Sequence, residues 1–414
     1  MPNRTECLLI ILLIIFFGRV LLYLSPAPLL IDEDNHLVQI LNFIEKKGNV
    51  SDEISMLPGY HFIIASSLKV SGLQSKNAAR VVSTFYSLLT IILFYILAKQ
   101  FNSSRTAAKT LQCLFCPIVF PFLFLIYTDI LSVFWVLLSL YFVRAGKYKL
   151  SGLAILAAIF IRQNNIIYSM FLVGFVYLER FGPAFKWKNI KEVFKLTRTH
   201  FVVYGLFIIF VVLNKGFSTG QKEFHPMLSI HADNIFFVLI LFFFLFLPYH
   251  VQELKKSIAQ LADQRTLIAL SFLFIFYMFA FQASHPWNQA HLTFNPADPA
   301  LLQRLYPLLR NNMLAFIHSS ILLKALFFIP VAFSILFLER NGRALVPHRL
   351  LYFFTLVYLV PMWLIEPRYY IIPVVLFILF KKENSRFVES VQVLYFVIIT
   401  LILMRGIRNA IFFI

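Results

Sequence analysis

Six short stretches of this chain collect side chains able to move protons or hold anions. They contain Asp32, Glu33 and His36; Tyr127, Thr128 and Asp129; Arg162, Gln163, Asn164 and Asn165; Lys222, His225 and His231; His285 and His291; and Glu366, Arg368 and Tyr369. A fixed, partly desolvated carboxylate such as Asp32 or Glu33 can take the proton of an acceptor hydroxyl as general base. A guanidinium stays charged and grips phosphate through two parallel hydrogen bonds, so Arg162 and Arg368 suit a phosphate leaving group. Lys222 and the histidines have the chemistry to contact phosphate or sugar hydroxyls. Each group also has a plainer structural explanation: Asp32 and Asp129 as helix caps, Arg162 reaching lipid headgroups, Glu366 and Arg368 as a local ion pair. The histidines lack HExxH spacing and close carboxylates, so no metal site is expected.

These stretches alternate with long apolar runs. The 414 residues are 60% hydrophobic and 14% charged, with 49 Phe and only 13 Gly, and the mean hydropathy is +0.79. Such a chain is an all-α polytopic membrane protein, because a soluble domain has too little interior to hide that much apolar surface. The net charge of +18 does not point to nucleic acid, since the cations are spread through alternate loops and form no patch interleaved with stacking aromatics. Cys113 and Cys116 have CxxC spacing but sit in the apolar stretch LQCLFCPIVF with no further ligands, so both, like Cys7, read as packing residues.

With about 20 residues needed per span, about 13 candidate helices emerge, near 7–24, 80–98, 107–125, 128–143, 150–161, 165–178, 201–213, 235–249, 267–283, 315–338, 350–364, 369–380 and 387–404. The segments at 150–161, 201–213 and 369–380 are short enough to be broken, re-entrant or buried by neighbours, which sets the expectation at 11–14 spans. The first span has no small-residue cleavage site and is expected to stay as an anchor. Lys and Arg crowd one set of loops, around 99–109, 144–149, 180–198, 255–265, 340–349 and 381–386. The opposite short loops hold Arg162, Lys215, Lys222, Arg304, Arg310 and Arg368. The basic set is therefore expected in the cytosol with the N-terminus, and every candidate site residue on the lumenal or exterior side.

The long first lumenal connection, 25–79, should carry structure. Leu37, Ile40, Leu41 and Ile44 recur at helical spacing within 33–47, and a second short helix should start near Pro58 and run to about Val70; both are expected to be amphipathic and to lie on the membrane. No repeat or low-complexity region interrupts the chain, so residues 1–414 are read as a single membrane domain.

The motif set resembles the GT-C type α-1,2-glucosyltransferases of the endoplasmic reticulum, which use dolichyl-phosphate glucose to add the last glucose to the lipid-linked oligosaccharide. The family's Asp-Glu-x-x-His is similar to Asp32, Glu33 and His36, and its Pro-Gly to Pro58 and Gly59. Its Tyr-Thr-Asp matches Tyr127, Thr128 and Asp129, and Arg-Gln-x-Asn-Ile matches Arg162, Gln163, Asn165 and Ile166. Gly220, Lys222 and His225 resemble Gly-x-Lys-x-x-His. His285, Pro286 and His291 resemble a His-Pro run ending in His, and Arg368, Tyr369 and Pro373 the closing Arg-Tyr motif. The likeness runs in order from residue 31 to about 373. The chain departs from it at Ser51-Asp52-Glu53, where the family has Trp-Asp-Pro, in shorter third and fourth lumenal loops, and in lacking an Arg between Asn288 and His291.

The resemblance implies an inverting, metal-independent and cofactor-free glucosyl transfer, with Asp32 or Glu33 as base. Donor phosphate or sugar would be held among His36, Asp129, Arg162, Gln163, Asn165, Lys222, His225, His285, His291, Arg368 and Tyr369. The implied partners are a lipid-linked sugar donor and a lipid-linked oligosaccharide acceptor, met by a monomer in the endoplasmic-reticulum membrane. A nucleotide-sugar donor is disfavoured, because the longest cytosolic loop, 179–199, is too short to be a nucleotide-binding domain. Two alternatives remain open: a GT-C enzyme using another polyprenyl-phosphate sugar, and a transporter, which would place ionisable residues near mid-span rather than at span ends.

Overall fold

The computed structural model describes residues 4–45, 48–101, 104–224, 229–289, 308–344 and 346–414. The protein is an all-α polytopic membrane protein. Among the described residues every regular element is helical, with one isolated bridge between Leu308 and Phe413. The first half contains α1 (Arg4–Leu24), α2 (Glu33–Ile44), α3 (Gly59–Ser71), α4 (Lys76–Gln100), α5 (Thr106–Leu114), α6 (Thr128–Arg144), α7 (Tyr148–Ile161), α8 (Ile166–Phe181), α9 (Trp187–Leu196) and α10 (Arg198–Asn214). Then come α11 (Asp233–Leu245), α12 (Leu247–Gln252), α13 (Leu254–Leu261), α14 (Gln264–Ala280), α15 (Pro286–Gln289) and α16 (Leu309–His318). The chain ends with α17 (Ile321–Leu326), α18 (Phe328–Ala344), α19 (Val346–Leu359), α20 (Ile371–Phe380) and α21 (Arg386–Arg408).

By length and composition, Lys76–Gln100, Arg386–Arg408 and the run Ile321–Asn341, in which α17 leads through Phe327 into α18, are each able to cross a bilayer. Two bent pairs, α9 with α10 at 79° and α13 with α14 at 90°, also pass when taken together, and shorter apolar helices such as Tyr148–Ile161 and Asp233–Leu245 pack among them. Most apolar segments read from the sequence fall on single helices. Three do not, and proline explains two of them. Pro248 sits in the first turn of α12, where its missing N–H costs nothing but where α11 cannot continue. Pro117 likewise ends the helical run in 107–125, and residues 117–127 continue as buried, largely irregular chain with one short 3-10 turn, Phe120–Leu123. Irregular backbone at that depth is tolerated because protein covers it. The third, 315–338, divides at Ser319 and again at Phe327.

Both short helices expected in the first long connection are present and pack on each other. Leu37 and Ile40 of α2 and Ile64, Ala65 and Leu68 of α3 share one apolar cluster with Ile126 and Ile161, so the pair sits on the ends of α6 and α7. Helix α20 is apolar on all sides, and every one of its residues is buried, which marks it as the centre of the bundle. The end of α20 remote from Asp32 is tied by Lys381, which bonds Glu389 at 2.7 Å; Glu389 also accepts from Gln112 and from the Tyr249 hydroxyl. The other end of α20 opens into the cluster described next.

Candidate active site

The site starts from a locked turn. Glu33 is fully buried, and its carboxylate accepts from the backbone N–H groups of Leu30 (3.0 Å) and Ile126 (2.9 Å) and from Arg80 (2.5 and 3.0 Å). Arg80 in turn donates to the carbonyls of Leu24, Ala27 and Pro28. The pair therefore fastens the α1–α2 connection to α4 and to the chain entering α6. The Tyr127 hydroxyl donates to the Leu30 carbonyl (2.9 Å) and accepts from the Asp32 N–H (3.3 Å). Between these braces Ile31 takes a left-handed backbone, φ 49°, a conformation costly for a β-branched residue that persists only where its surroundings impose it.

Asp32 precedes the first turn of α2 but its side chain makes no capping bond. Its carboxylate turns instead to Arg368, 2.7 Å away, and remains 36% exposed. Arg368 stacks over the Tyr127 ring at 5.0 Å and lies 3.4 Å from Glu366, which pairs with Arg310. Beside this chain of charges Arg162 pairs with Asp129 and lies over the Tyr369 ring. The elements explain the placement. Asp129 is in the first turn of α6, Arg162 sits in extended backbone just past α7, and Arg368 belongs to the turn Pro367–Tyr370 that leads into α20. Three guanidiniums and three carboxylates thus alternate at one end of the helices.

His36, one turn into α2, contacts His61 of α3 through Nδ1 and Nε2 at 2.9 Å, and its ring meets the edges of Tyr60 and Tyr127. Burial pushes the His36 imidazole down to about 4, the charge of Asp32 offsetting only part of the effect. Burial, helped by His36, also drives His61 well below the usual histidine value. Both rings are neutral at pH 7. Burial is the largest single effect and raises the Asp32 carboxyl, but the charge and hydrogen bond of Arg368 together with the neighbouring His36 and Arg310 outweigh it and hold the carboxyl below the ordinary carboxylate value. His36 Nε2, His61 Nδ1 and Asp129 Oδ2 are buried atoms without a hydrogen-bond partner among the described residues.

Arg162 and Tyr369 also face a cavity of about 200 Å³ whose other walls include Phe207, Phe217, Phe224 and Trp363. A cation at the head of an apolar slot suits a phosphate with an apolar tail. Gln163 and Asn165 hold the surrounding frame. Gln163 accepts from Leu57 N and donates to the carbonyls of Ser55 and Phe217, joining two loops, while Asn165 donates to Ser132 and to the Ala158 carbonyl. Lys222 is exposed and donates to the Asn214 carbonyl at 2.6 Å. His285 is buried against Trp363 and accepts from Trp287 N, and His231 stacks on the same Trp363. His225 and His291 lie outside the described residues.

The model of the DIE2/ALG10 family matches residues 26–189 and 181–379. This chain belongs to the DIE2/ALG10 family. A rat protein named Dol-P-Glc:Glc(2)Man(9)GlcNAc(2)-PP-Dol alpha-1,2-glucosyltransferase is 22% identical over 322 residues, covering 64% of this chain and 68% of its own length. A human protein of the same name is 23% identical over 321 residues with the same coverage. One from Yarrowia lipolytica is 24% identical over an alignment of 434 residues, covering 84% of this chain and 82% of its own length. No solved structure matches.

All the charged groups of the cluster fall inside the DIE2/ALG10 match. Three of its members were not singled out from the sequence: Arg80, His61 and Arg310. Arg80 opens an apolar run that has no other cation until Lys99, and a lone guanidinium there calls for a buried carboxylate. His61 follows Pro58-Gly59 within three residues, so it rides on the helix already assigned. Arg310 left only the mark of a cation on the cation-poor side, and Glu366, its partner, stands 56 residues away.

Proposed function

We propose that this chain is an inverting glucosyltransferase that moves glucose from dolichyl-phosphate glucose to the diglucosylated lipid-linked oligosaccharide in α-1,2 linkage. The names of its relatives carry that activity. The observation on this chain that supports it is the Asp32 carboxylate, part-exposed and directed at Arg368 instead of capping its own helix. Asp32 takes the acceptor hydroxyl proton as that oxygen bonds to the anomeric carbon from the face opposite the phosphate. The anomeric C–O bond breaks, and its electron pair leaves with dolichyl phosphate. A β-linked donor then yields an α-linkage.

In this reading Arg162 and Arg368 hold the phosphate, with Lys222 at the rim, and the apolar cavity beside Arg162 takes the first isoprenoid units. The phosphate replaces Asp32 as the partner of Arg368, so donor binding frees the base for the acceptor proton. The unpartnered His36 Nε2 and Asp129 Oδ2 supply hydrogen bonds to sugar hydroxyls. Glu33, saturated by Arg80 and two backbone N–H groups, is the structural member of the carboxylate pair. The guanidiniums neutralise the leaving group, and the scheme calls for no metal or other cofactor. The enzyme acts as a monomer in the endoplasmic-reticulum membrane, its site lumenal and its N-terminus cytosolic.

The test is transfer by the purified chain from synthetic dolichyl-phosphate glucose to the diglucosylated acceptor. Asp32→Asn should lower turnover by roughly 10²–10⁴-fold, the span typical of a lost general base, with an unchanged melting profile. Wild-type activity retained in Asp32→Asn would remove Asp32 from the chemistry. Transfer from dolichyl-phosphate mannose in preference to glucose would reassign the donor.

A further inference from the structure

The loop 179–199, read from the sequence only as a connection, contains a helix with two distinct faces. In α9, Lys188, Lys191 and Lys195 recur at three- and four-residue spacing and are exposed, while Trp187, Ile190 and Phe194 recur one position earlier along the helix. Trp187 is 78% exposed and Phe194 51%, and Phe185 just before the helix is 62% exposed. Large aromatic surface left open beside lysines is unusual for a face meeting only water.

The helix is held in place. Val193 is buried, the Lys186 N–H donates to the Tyr177 hydroxyl at 2.7 Å, and that hydroxyl donates to the Ala184 carbonyl. At α10 the chain turns by 79°. The two helices are long and apolar enough to span only as a pair; with α10 as the part that crosses, this bend sets α9 close to the membrane plane. Its lysine face, with Lys147, Lys149 and Arg198, walls a groove of about 980 Å³ against the α6–α7 connection, and the only carboxylate on that wall is Glu192. Among the described residues none of these six cations is in an ion pair, although ion pairs form elsewhere on the molecule, as between Arg144 and Glu179. The groove flanks the start of α7, and Arg162 follows its last residue, so about 20 Å of helix separates it from the candidate active site.

We propose that this groove binds the headgroup of an anionic phospholipid of the surrounding bilayer, with Trp187, Phe185 and Phe194 inserted among the acyl chains of the same leaflet. Six unpaired cations match a headgroup of net negative charge, and the adjoining aromatics fit a lipid rather than a soluble anion or a nucleic acid. This site is independent of the transfer chemistry, so failure of either proposal leaves the other standing.

The full chain, purified in detergent with equimolar phosphatidylinositol and phosphatidylcholine, is examined by native mass spectrometry. The wild type should retain the anionic lipid with roughly tenfold preference. K188Q/K191Q/K195Q should fall to parity, while K255Q/K256Q, which removes the same type of charge from α13, should keep the preference. Equal retention of the two lipids by the wild type, an undiminished preference in the triple variant, or displacement of the lipid by millimolar inorganic phosphate would overturn the proposal. A second readout does not depend on lysine. Lipids brominated high on the acyl chain should quench Trp187 emission, and W187F should lose that component; the same quenching in wild type and W187F would overturn the placement of α9 in the leaflet.

Discussion

Asp32 and Glu33 are neighbours with opposite fates, and solvent decides between them. Glu33 is sealed against Arg80 and two backbone N–H groups, whereas the Asp32 carboxylate meets Arg368 at the edge of open space. Removing one partner of a sealed ion pair leaves a bare charge in low dielectric, a loss of about 3–5 kcal/mol. Arg80→Ala should therefore lower the melting temperature sharply in detergent, and a melting profile like wild type would show that the pair does not hold the α1–α2 turn. Arg368 acts on reactivity as well as on binding. Its charge and hydrogen bond are the main part of what keeps the Asp32 carboxyl below the ordinary range against the upward push of burial, so the carboxylate persists to lower pH than a free aspartate. In Arg368→Gln that restraint is gone and burial remains, so the acid limb of kcat/KM should move to higher pH, besides any loss of donor affinity. An unmoved acid limb would separate Asp32 from Arg368 in the working enzyme. The sequence exposes Asp32, Glu33 and Arg368 as candidates through their types and positions. It is silent on which acid is sealed, because that depends on Arg80, 47 residues away.

The elements that carry these residues were legible where a periodic apolar face or a breaker marks them. The pattern Leu37, Ile40, Leu41, Ile44 forecast α2, and Pro58 forecast the start of α3. The stretch 107–125 misled because an unbroken apolar run reads alike for a span and for buried irregular chain. Helix α9 was overlooked because a run of lysines looks like solvated loop until its three- and four-residue spacing is weighed against the aromatics between them. Gly59 shows why the Pro-Gly motif matters to the site. A Cβ there would meet the Phe160 carbonyl oxygen at 2.5 Å, so only glycine lets α3, with His61, close onto the end of α7 that leads to Arg162. Gly59→Ala should push these helices apart and cost both thermal stability and transfer. Gly205→Ala, in α10 with nothing within 4 Å of the added carbon, should be neutral or stabilising by up to about 1 kcal/mol through helix propensity. Equal effects from the two substitutions would mean that the α3–α7 contact is looser than the structure has it.

At the scale of the whole molecule, polarity is divided between the two ends of the bundle. Asp32, Asp129, Arg162, Arg310, Glu366 and Arg368 converge at one end; Arg144 with Glu179, Lys381 with Glu389, and the lysines of α9 occupy the other. A transporter would be expected to string such groups along a path through mid-span, whereas here they form a site at one surface. This division also makes the orientation testable without an activity assay. Asn49-Val50-Ser51 is a glycosylation sequon, and Asn49 is exposed on the connection whose Gln39 bonds its carbonyl, close to the Asp32 end. Asn102-Ser103-Ser104 and Asn3-Arg4-Thr5 are further sequons, both in the opposite, basic set of segments. Because glycan is added only on the lumenal side, expression in microsomes should give a product that shifts on endoglycosidase treatment. Asn49→Gln should abolish the shift and Asn102→Gln should leave it unchanged. A shift that survives Asn49→Gln would invert the molecule in the membrane and put Asp32 on the cytosolic side, where a lumenal lipid-linked acceptor could not reach it.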